Sequence, residues 1–180
     1  MDSFALLGLP KRPLLSEEEI GTAYRRLAGE LHPDQAGGDA VRFKELGEAA
    51  AILRDPSRRL RSLIQQSAGS AIPPEAADLF PRIAMLTHEA DDLLARHATA
   101  SNPLAKAVLA APIRKLGADL DLLLSDIQAW LASLDARLVE LDAAWPTDEH
   151  GVIASLADSY SYAIRWESQL RERKLTFDCL

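Results

Sequence analysis

Leu27-Ala28-Gly29-Glu30-Leu31-His32-Pro33-Asp34-Gln35-Ala36-Gly37-Gly38-Asp39-Ala40 closes one helical pattern and opens another, and the rest of the chain can be placed from it. The pattern before it runs from about Glu17 to Leu31, and the one after it from about Ala40 to Leu53. Proline disfavours the helical conformation in the residue before it, so His32 is driven out of the helix onto its rim. Pro33 also fixes its own backbone torsion, which presents His32 and Asp34 from a stiff corner. The loop is short, so the two helices it joins are antiparallel neighbours. A stiff polar corner at the tip of a helical hairpin is a contact surface more readily than a core element.

Working outward, Ser16-Glu17-Glu18-Glu19 reads as a capping box. Ile20, Ala23, Tyr24, Leu27 and Leu31 then recur at helical spacing as one buried stripe. Phe43, Leu46, Ala50 and Leu53 give the facing stripe, widened by Ala49 and Ile52. Before the box, residues 2–8 read as a short helix stopped at Gly8. After it, Asp55-Pro56 ends the second helix, and a basic tail follows with Arg54, Arg58, Arg59 and Arg61.

These blocks in order spell a family. Phe4-Ala5-Leu6-Leu7-Gly8-Leu9, Ala23-Tyr24-Arg25-Arg26-Leu27-Ala28, His32-Pro33-Asp34, Phe43-Lys44-Glu45 and Leu53-Arg54-Asp55-Pro56 with Arg59 together resemble the J domain over roughly the first 65 residues. The resemblance implies a co-chaperone that binds an ATPase chaperone of the DnaK or HscA type and accelerates its ATP hydrolysis. It assigns the docking role to His32, Pro33 and Asp34 with Tyr24, Arg25 and Arg26. Family members commonly carry basic residues where this chain has Gly21, Thr22 and Glu30. Electrostatic attraction to the partner is expected to be correspondingly weaker.

Beyond the hairpin the chain stays helical, and the expected class is all-α. Residues 67–74, Ser-Ala-Gly-Ser-Ala-Ile-Pro-Pro, form a joint between a J domain at 1–66 and a helical region at 75–180. Leu79, Ile83, Leu86, Ala90 and Leu93 mark a helix from about Glu75 to His97. Ser101 or Asn102 caps the next, with Pro103 at its first position, and Pro112 is expected to kink or restart it. From Leu116 the seam runs through Leu120, Leu123, Ile127, Trp130, Leu134, Leu138, Leu141 and Trp145. Thr147 or Asp148 caps a last helix with Ile153, Leu156, Tyr160, Ile164 and Leu170 buried. Three antiparallel helices of this kind bury one another's faces as a bundle. Val108, Leu109, Ile113, Leu122, Leu124 and Leu131 read as additional core. A J domain, a joint and a three-helix bundle in this length resemble the HscB family. That resemblance implies a client, an iron–sulfur scaffold protein, held by the bundle.

Composition narrows the remaining classes. Residues 1–66 carry ten Lys/Arg and ten Asp/Glu, whereas 67–180 carry ten and seventeen, which holds the whole net charge of −7. Phosphate backbones would be repelled, so nucleic acid is not an expected partner. No apolar run has the length of a membrane span, and no basic-flanked apolar leader opens the chain, so a cytoplasmic protein is expected. Cys179 is the only cysteine, and His88, His97 and His150 have no ligand-spaced partners, so no metal or cofactor site is expected. No nucleophile–base pair, phosphate-cradling glycine loop or carboxylate pair supports an enzyme. The alternative to a co-chaperone is an adaptor that keeps a J-like fold but stimulates no ATPase.

Overall fold

The computed structural model describes residues 2–32, 34, 38–64 and 72–180. Seven α-helices follow in order: α1 (Ser3–Leu7), α2 (Glu17–Leu31), α3 (Ala40–Arg54), α4 (Pro56–Ile64), α5 (Leu79–Thr99), α6 (Pro103–Ala143) and α7 (His150–Asp178). A 3₁₀ turn at Pro74–Ala76 precedes α5, and no strand occurs among the described residues. The described residues are all-α: a short helix and a helical hairpin with a fourth helix, then three longer helices. Two compact units form: one from residues 1–71 with 134–160, the other from 72–133 with 161–180. Helices α6 and α7 each contribute to both. Five residues of the expected joint, 67–71, lie outside the described residues.

In the first unit the ends of the helices are specified by side chains. Asp2 caps α1 by accepting from the Phe4 and Ala5 amides at 3.2 and 3.3 Å. Gly8 ends it at φ 67°, a left-handed conformation that a Cβ would oppose. The capping box is complete: Ser16 Oγ accepts from the Glu19 amide at 3.1 Å, and Glu19 Oε2 accepts from the Ser16 amide at 2.7 Å. Phe4, Leu7, Leu15, Ile20, Leu46, Ala50 and Leu53 are buried in one cluster where α1, α2 and α3 pack. Each fully buried leucine or phenylalanine of this set contributes about 1.5–3 kcal/mol.

Buried polar groups complete this unit. The Arg59 side chain is only 3% exposed. It donates from Nε to the Pro13 carbonyl at 2.7 Å and from Nη1 to the Leu53 carbonyl at 2.5 Å. The Leu53 carbonyl belongs to the last turn of α3, where no intrahelical donor remains, so Arg59 acts as the cap of α3. Burial pushes its guanidinium below the ordinary arginine value, countered by the phenol of Tyr160 and the carboxylates of Asp55 and Asp142. The turn between α6 and α7 holds the segment before α2 through polar contacts. Asp142 accepts from the Leu14 amide at 3.0 Å, and the Trp145 indole donates to the Lys11 carbonyl at 2.8 Å. Arg61 and Asp158 pair at 2.6 Å, and both are largely buried.

In the second unit α5, residues 103–133 of α6 and the end of α7 enclose one core. Ile83, Leu86, Ala90 and Leu93 meet Leu116, Leu120, Leu123 and Ile127, with Trp166, Leu170 and Phe177 from α7. Asn102 is the cap of α6, accepting from the Ala105 amide at 2.8 Å. Several expectations change here. Helix α5 begins at Leu79 and not near Glu75, which places Pro81 in its first turn, where the missing N–H leaves no bond unmade. Pro112 does not restart α6, which runs unbroken to Ala143. Its missing amide faces the Val108 carbonyl on the solvent side, where water can serve that carbonyl. Val108 and Leu122 are surface, 67% and 64% exposed, whereas Leu109 and Leu124 are core as expected. Ile164 is exposed, because the step after Tyr160 on the buried seam is three residues, to Ala163, and then on to Trp166. Ahead of α7, Thr147 accepts from the Glu149 amide at 3.3 Å, two residues before the cap position, and the Glu149 carbonyl takes the first helical bonds.

Candidate functional site: the α2–α3 corner

His32 leaves α2 with φ −56° and ψ 132°, the extended region that a following proline imposes. The Asp39 amide donates to the Leu31 carbonyl at 3.1 Å, which closes the corner across the loop. Asp39 then caps α3, its Oδ1 accepting from the Val41 and Arg42 amides at 3.0 and 3.1 Å. The His32 ring stands edge-on to Phe43 of α3, with centroids 5.4 Å apart and planes at 81°. Such edge-to-face pairs contribute about 0.5–1.5 kcal/mol and fix ring orientation.

The chemistry at the tip follows from that fixed ring. The Asp34 amide donates to His32 Nδ1 at 3.2 Å. With Nδ1 accepting, the proton of the neutral imidazole sits on Nε2, leaving that N–H as a donor. Asp34 Oδ2 lies 3.6 Å from the same Nδ1, near enough to pair with it when the ring is protonated. The imidazole is 45% exposed and the carboxylate 88% exposed, so both can reach a partner. Pro33 lies outside the described residues.

The remaining candidate residues divide between two faces of α2. Thr22, Arg25, Arg26, Gly29 and Glu30 are all exposed at spacings of three and four, forming a continuous solvent stripe. Arg25 donates to the Thr22 hydroxyl at 3.2 Å, and Arg26 pairs with Glu30 at 3.7 Å. Tyr24 is not on this stripe. It is half-buried in the seam with α3, its ring 5.8 Å from the Arg54 guanidinium, which in turn holds Glu17 at 2.8 Å. Thus His32 and Asp34 come together, Arg25 and Arg26 share a face, and Tyr24 supports the hairpin from its side. Sequence reading passed over Asp39 as a cap and Phe43 as the ring's partner. An acidic residue directly before an α-helical run was the available signal for the first.

The bundle has a second feature of interest. Phe80 is 47% exposed, and its ring lies 6.3 Å from that of Trp166. Trp130 and Tyr162 flank the same indole at 6.1 and 5.3 Å, and the Arg165 guanidinium sits 4.7 Å over the Tyr162 ring. Phe80 lay outside the helical stripe read from the sequence, and its exposure follows from that position. No helix among the described residues is long and apolar enough to cross a membrane. No cluster of three or more His, Cys, Asp or Glu side chains placed to hold a metal occurs among them.

Residues 2–61 match the family model of the DnaJ domain. The chaperone protein DnaJ of Chlamydia pneumoniae is 48% identical over 62 residues, covering 33% of this chain and 15% of that protein. The DnaJ of Deinococcus proteolyticus is 44% identical over 61 residues, covering 32% and 19%. The chain thus spans less than a fifth of the length of these relatives. Residues 2–61, a third of this chain, are similar to the DnaJ domain. Over nearly its full length the chain's fold is similar to that of chaperone HscB from Vibrio cholerae, with a TM-score of 0.57 over 96% of each chain. At 17% identity that likeness is one of fold.

Proposed function

We propose that this chain is a cytoplasmic co-chaperone that docks on a DnaK- or HscA-type ATPase and speeds its ATP hydrolysis. The J domain is assigned to residues 1–66, a joint to 67–74 and a client-holding bundle to 75–180. His32, Pro33 and Asp34 form the contact corner, Arg25 and Arg26 flank it on the solvent stripe, and Tyr24 braces the hairpin. The observation that carries this reading is the fixed, exposed His32–Asp34 corner inside a DnaJ-domain match. No bond is made or broken by this chain itself. It binds the ATP-cleaving conformation of the partner better than the resting one, and the difference in affinity shifts the population.

For the client, the half-exposed Phe80 beside Tyr162, Trp166 and Arg165 supports a docking patch, since aromatic and arginine side chains dominate the energetics of protein interfaces. We assign it an iron–sulfur scaffold protein, whose cluster would be cargo and not a cofactor of this chain. The test is single-turnover ATP hydrolysis by the chaperone of the same organism. Acceleration is expected, and it should vanish in His32→Gln; acceleration unchanged in that variant would refute the docking role. Capture of the organism's own scaffold protein should fail in Phe80→Ser, and capture unaffected by that change would remove the client assignment.

The Arg26–Glu30 pair favours a second reading, an adaptor that docks without stimulating. Its signature would be chaperone binding by calorimetry with no change in the rate of hydrolysis.

A further inference from the structure

The first turns of α6 hold the unpaired cations of the bundle. In the unit of residues 72–133 and 161–180, Arg82, Arg96, Arg171, Arg173 and Lys174 each hold a carboxylate. Arg165 lies over Tyr162. Among the described residues Lys106, Arg114 and Lys115 pair with no carboxylate, although residues 67–180 contain seventeen acidic side chains to ten basic ones. Lys106 and Arg114 border one cleft of about 370 Å³. Its apolar lining is Ala110 and Ile113 of α6 with Phe177 and Leu180, and His97 from the last turn of α5 joins the rim.

Cations around an apolar floor, left unmatched by an acid-rich chain, describe a ligand that is anionic at its edges and apolar at its centre. The spacing narrows it further. Eight residues of helix separate Lys106 from Arg114, about 12 Å along the axis at 1.5 Å per residue. Two anionic groups that far apart fit without folding either side chain inward. In an extended peptide about 12 Å is close to four residues, and alternate residues face the same side.

We propose that this cleft binds an extended acidic peptide segment of the pattern acidic–any–apolar–any–acidic. The apolar residue rests on Ile113 and Phe177, and the two carboxylates meet Lys106 and Arg114. Exposed ion pairs contribute little each and are screened by salt, so binding requires the apolar centre as well as the charges. This proposal is independent of docking at the α2–α3 corner.

The test is titration of the full chain, labelled with ¹⁵N, with a capped heptapeptide carrying two glutamates around a central leucine at that spacing. Saturable amide shifts are expected at His97, Ala110, Ile113 and Phe177. Affinity should fall about tenfold in the Lys106→Glu, Arg114→Glu double variant, fall with added salt, and remain in Arg82→Gln. A peptide with serine for leucine should not bind. The proposal is overturned by absence of saturable shifts, by shifts elsewhere on the chain, or by equal affinity in the double variant. Saturation by laurate or inorganic phosphate without any response to the peptide would also overturn it.

Discussion

Replacing Arg59 by methionine tests whether a buried guanidinium fork holds the first unit together. Methionine has a similar length and is apolar, so it fills most of the space and leaves the Pro13 and Leu53 carbonyls without their donor. Each buried acceptor left unsatisfied costs about 1–3 kcal/mol. Part of this returns, because the wild-type chain must desolvate the guanidinium, the main reason its proton affinity is lowered. We expect a net loss of about 2–3 kcal/mol. In a chain of this size that corresponds to a melting temperature lower by about 5–10 °C. Urea unfolding followed by circular dichroism reads the difference directly. Arg59→Lys discriminates the cause: an ammonium keeps the charge but cannot span two carbonyls, so lysine should be at least as destabilising as methionine. Wild-type stability in Arg59→Met, or full rescue by Arg59→Lys, would refute the capping argument.

Four further variants probe other parts of the fold. Ser16→Ala should cost about 1 kcal/mol at neutral pH by removing a cap. The Ser16 amide and hydroxyl, then Arg12, hold the Glu19 carboxyl below the usual glutamate range. Its contribution is thus present above the unfolded-state value of about 4.3 and lost as pH falls through the lower folded one. Urea midpoints of wild type and Glu19→Gln should converge over that interval. Tyr160→Phe should lose about 1–2 kcal/mol with the 2.7 Å bond to Asp135. Burial, then Asp135, pushes the Tyr160 phenol up, so that stabilisation is present below the unfolded-state value of about 10 and lost as pH rises beyond it. An alkaline melting series should show wild type losing its advantage over Tyr160→Phe there. Gly29→Ala should gain about 0.5–1 kcal/mol in thermal melts, since an added Cβ meets nothing within 4 Å on an exposed helical face.

The hairpin was legible because its rules are local. A capping box, two apolar stripes and a histidine before proline each act within a few residues, and α2 falls at Glu17–Leu31 as read. The long helices were less so. Ile164 read as core because a large apolar side chain stands four residues after Tyr160, while the seam passes through the small Ala163. Val108 and Leu122 read as core on hydrophobicity alone, which periodicity cannot settle where apolar residues cover most of a helix. Arg59 was read as one of four arginines in a basic tail. Its burial rests on carbonyls 46 and 6 residues away, one of them beyond any local pattern. At the corner the histidine and aspartate were found, but the division of Tyr24 from Arg25 and Arg26 needed the α3 seam.

That division bears on how the proposed docking would work. The exposed charges of α2 are Arg25 and Arg26 against Glu17, Glu18 and Glu30, with Glu30 already paired to Arg26 and Glu17 neutralised by Arg54. A balanced face has a field that falls off faster than that of a net charge, and salt screens it within about 8–10 Å. Long-range steering is therefore weak, and under the proposed function selectivity must come from contacts made after encounter. Those contacts are the ones the backbone holds in place: the imidazole set by Phe43, its Nδ1 occupied by the Asp34 amide and its Nε2–H free to donate. Orientation fixed before binding lowers the entropy lost on docking, which compensates for attraction the charges do not supply. Adding positive charge at Glu30 would raise encounter rates with acidic surfaces in general, so the self-paired stripe favours discrimination between chaperones over speed.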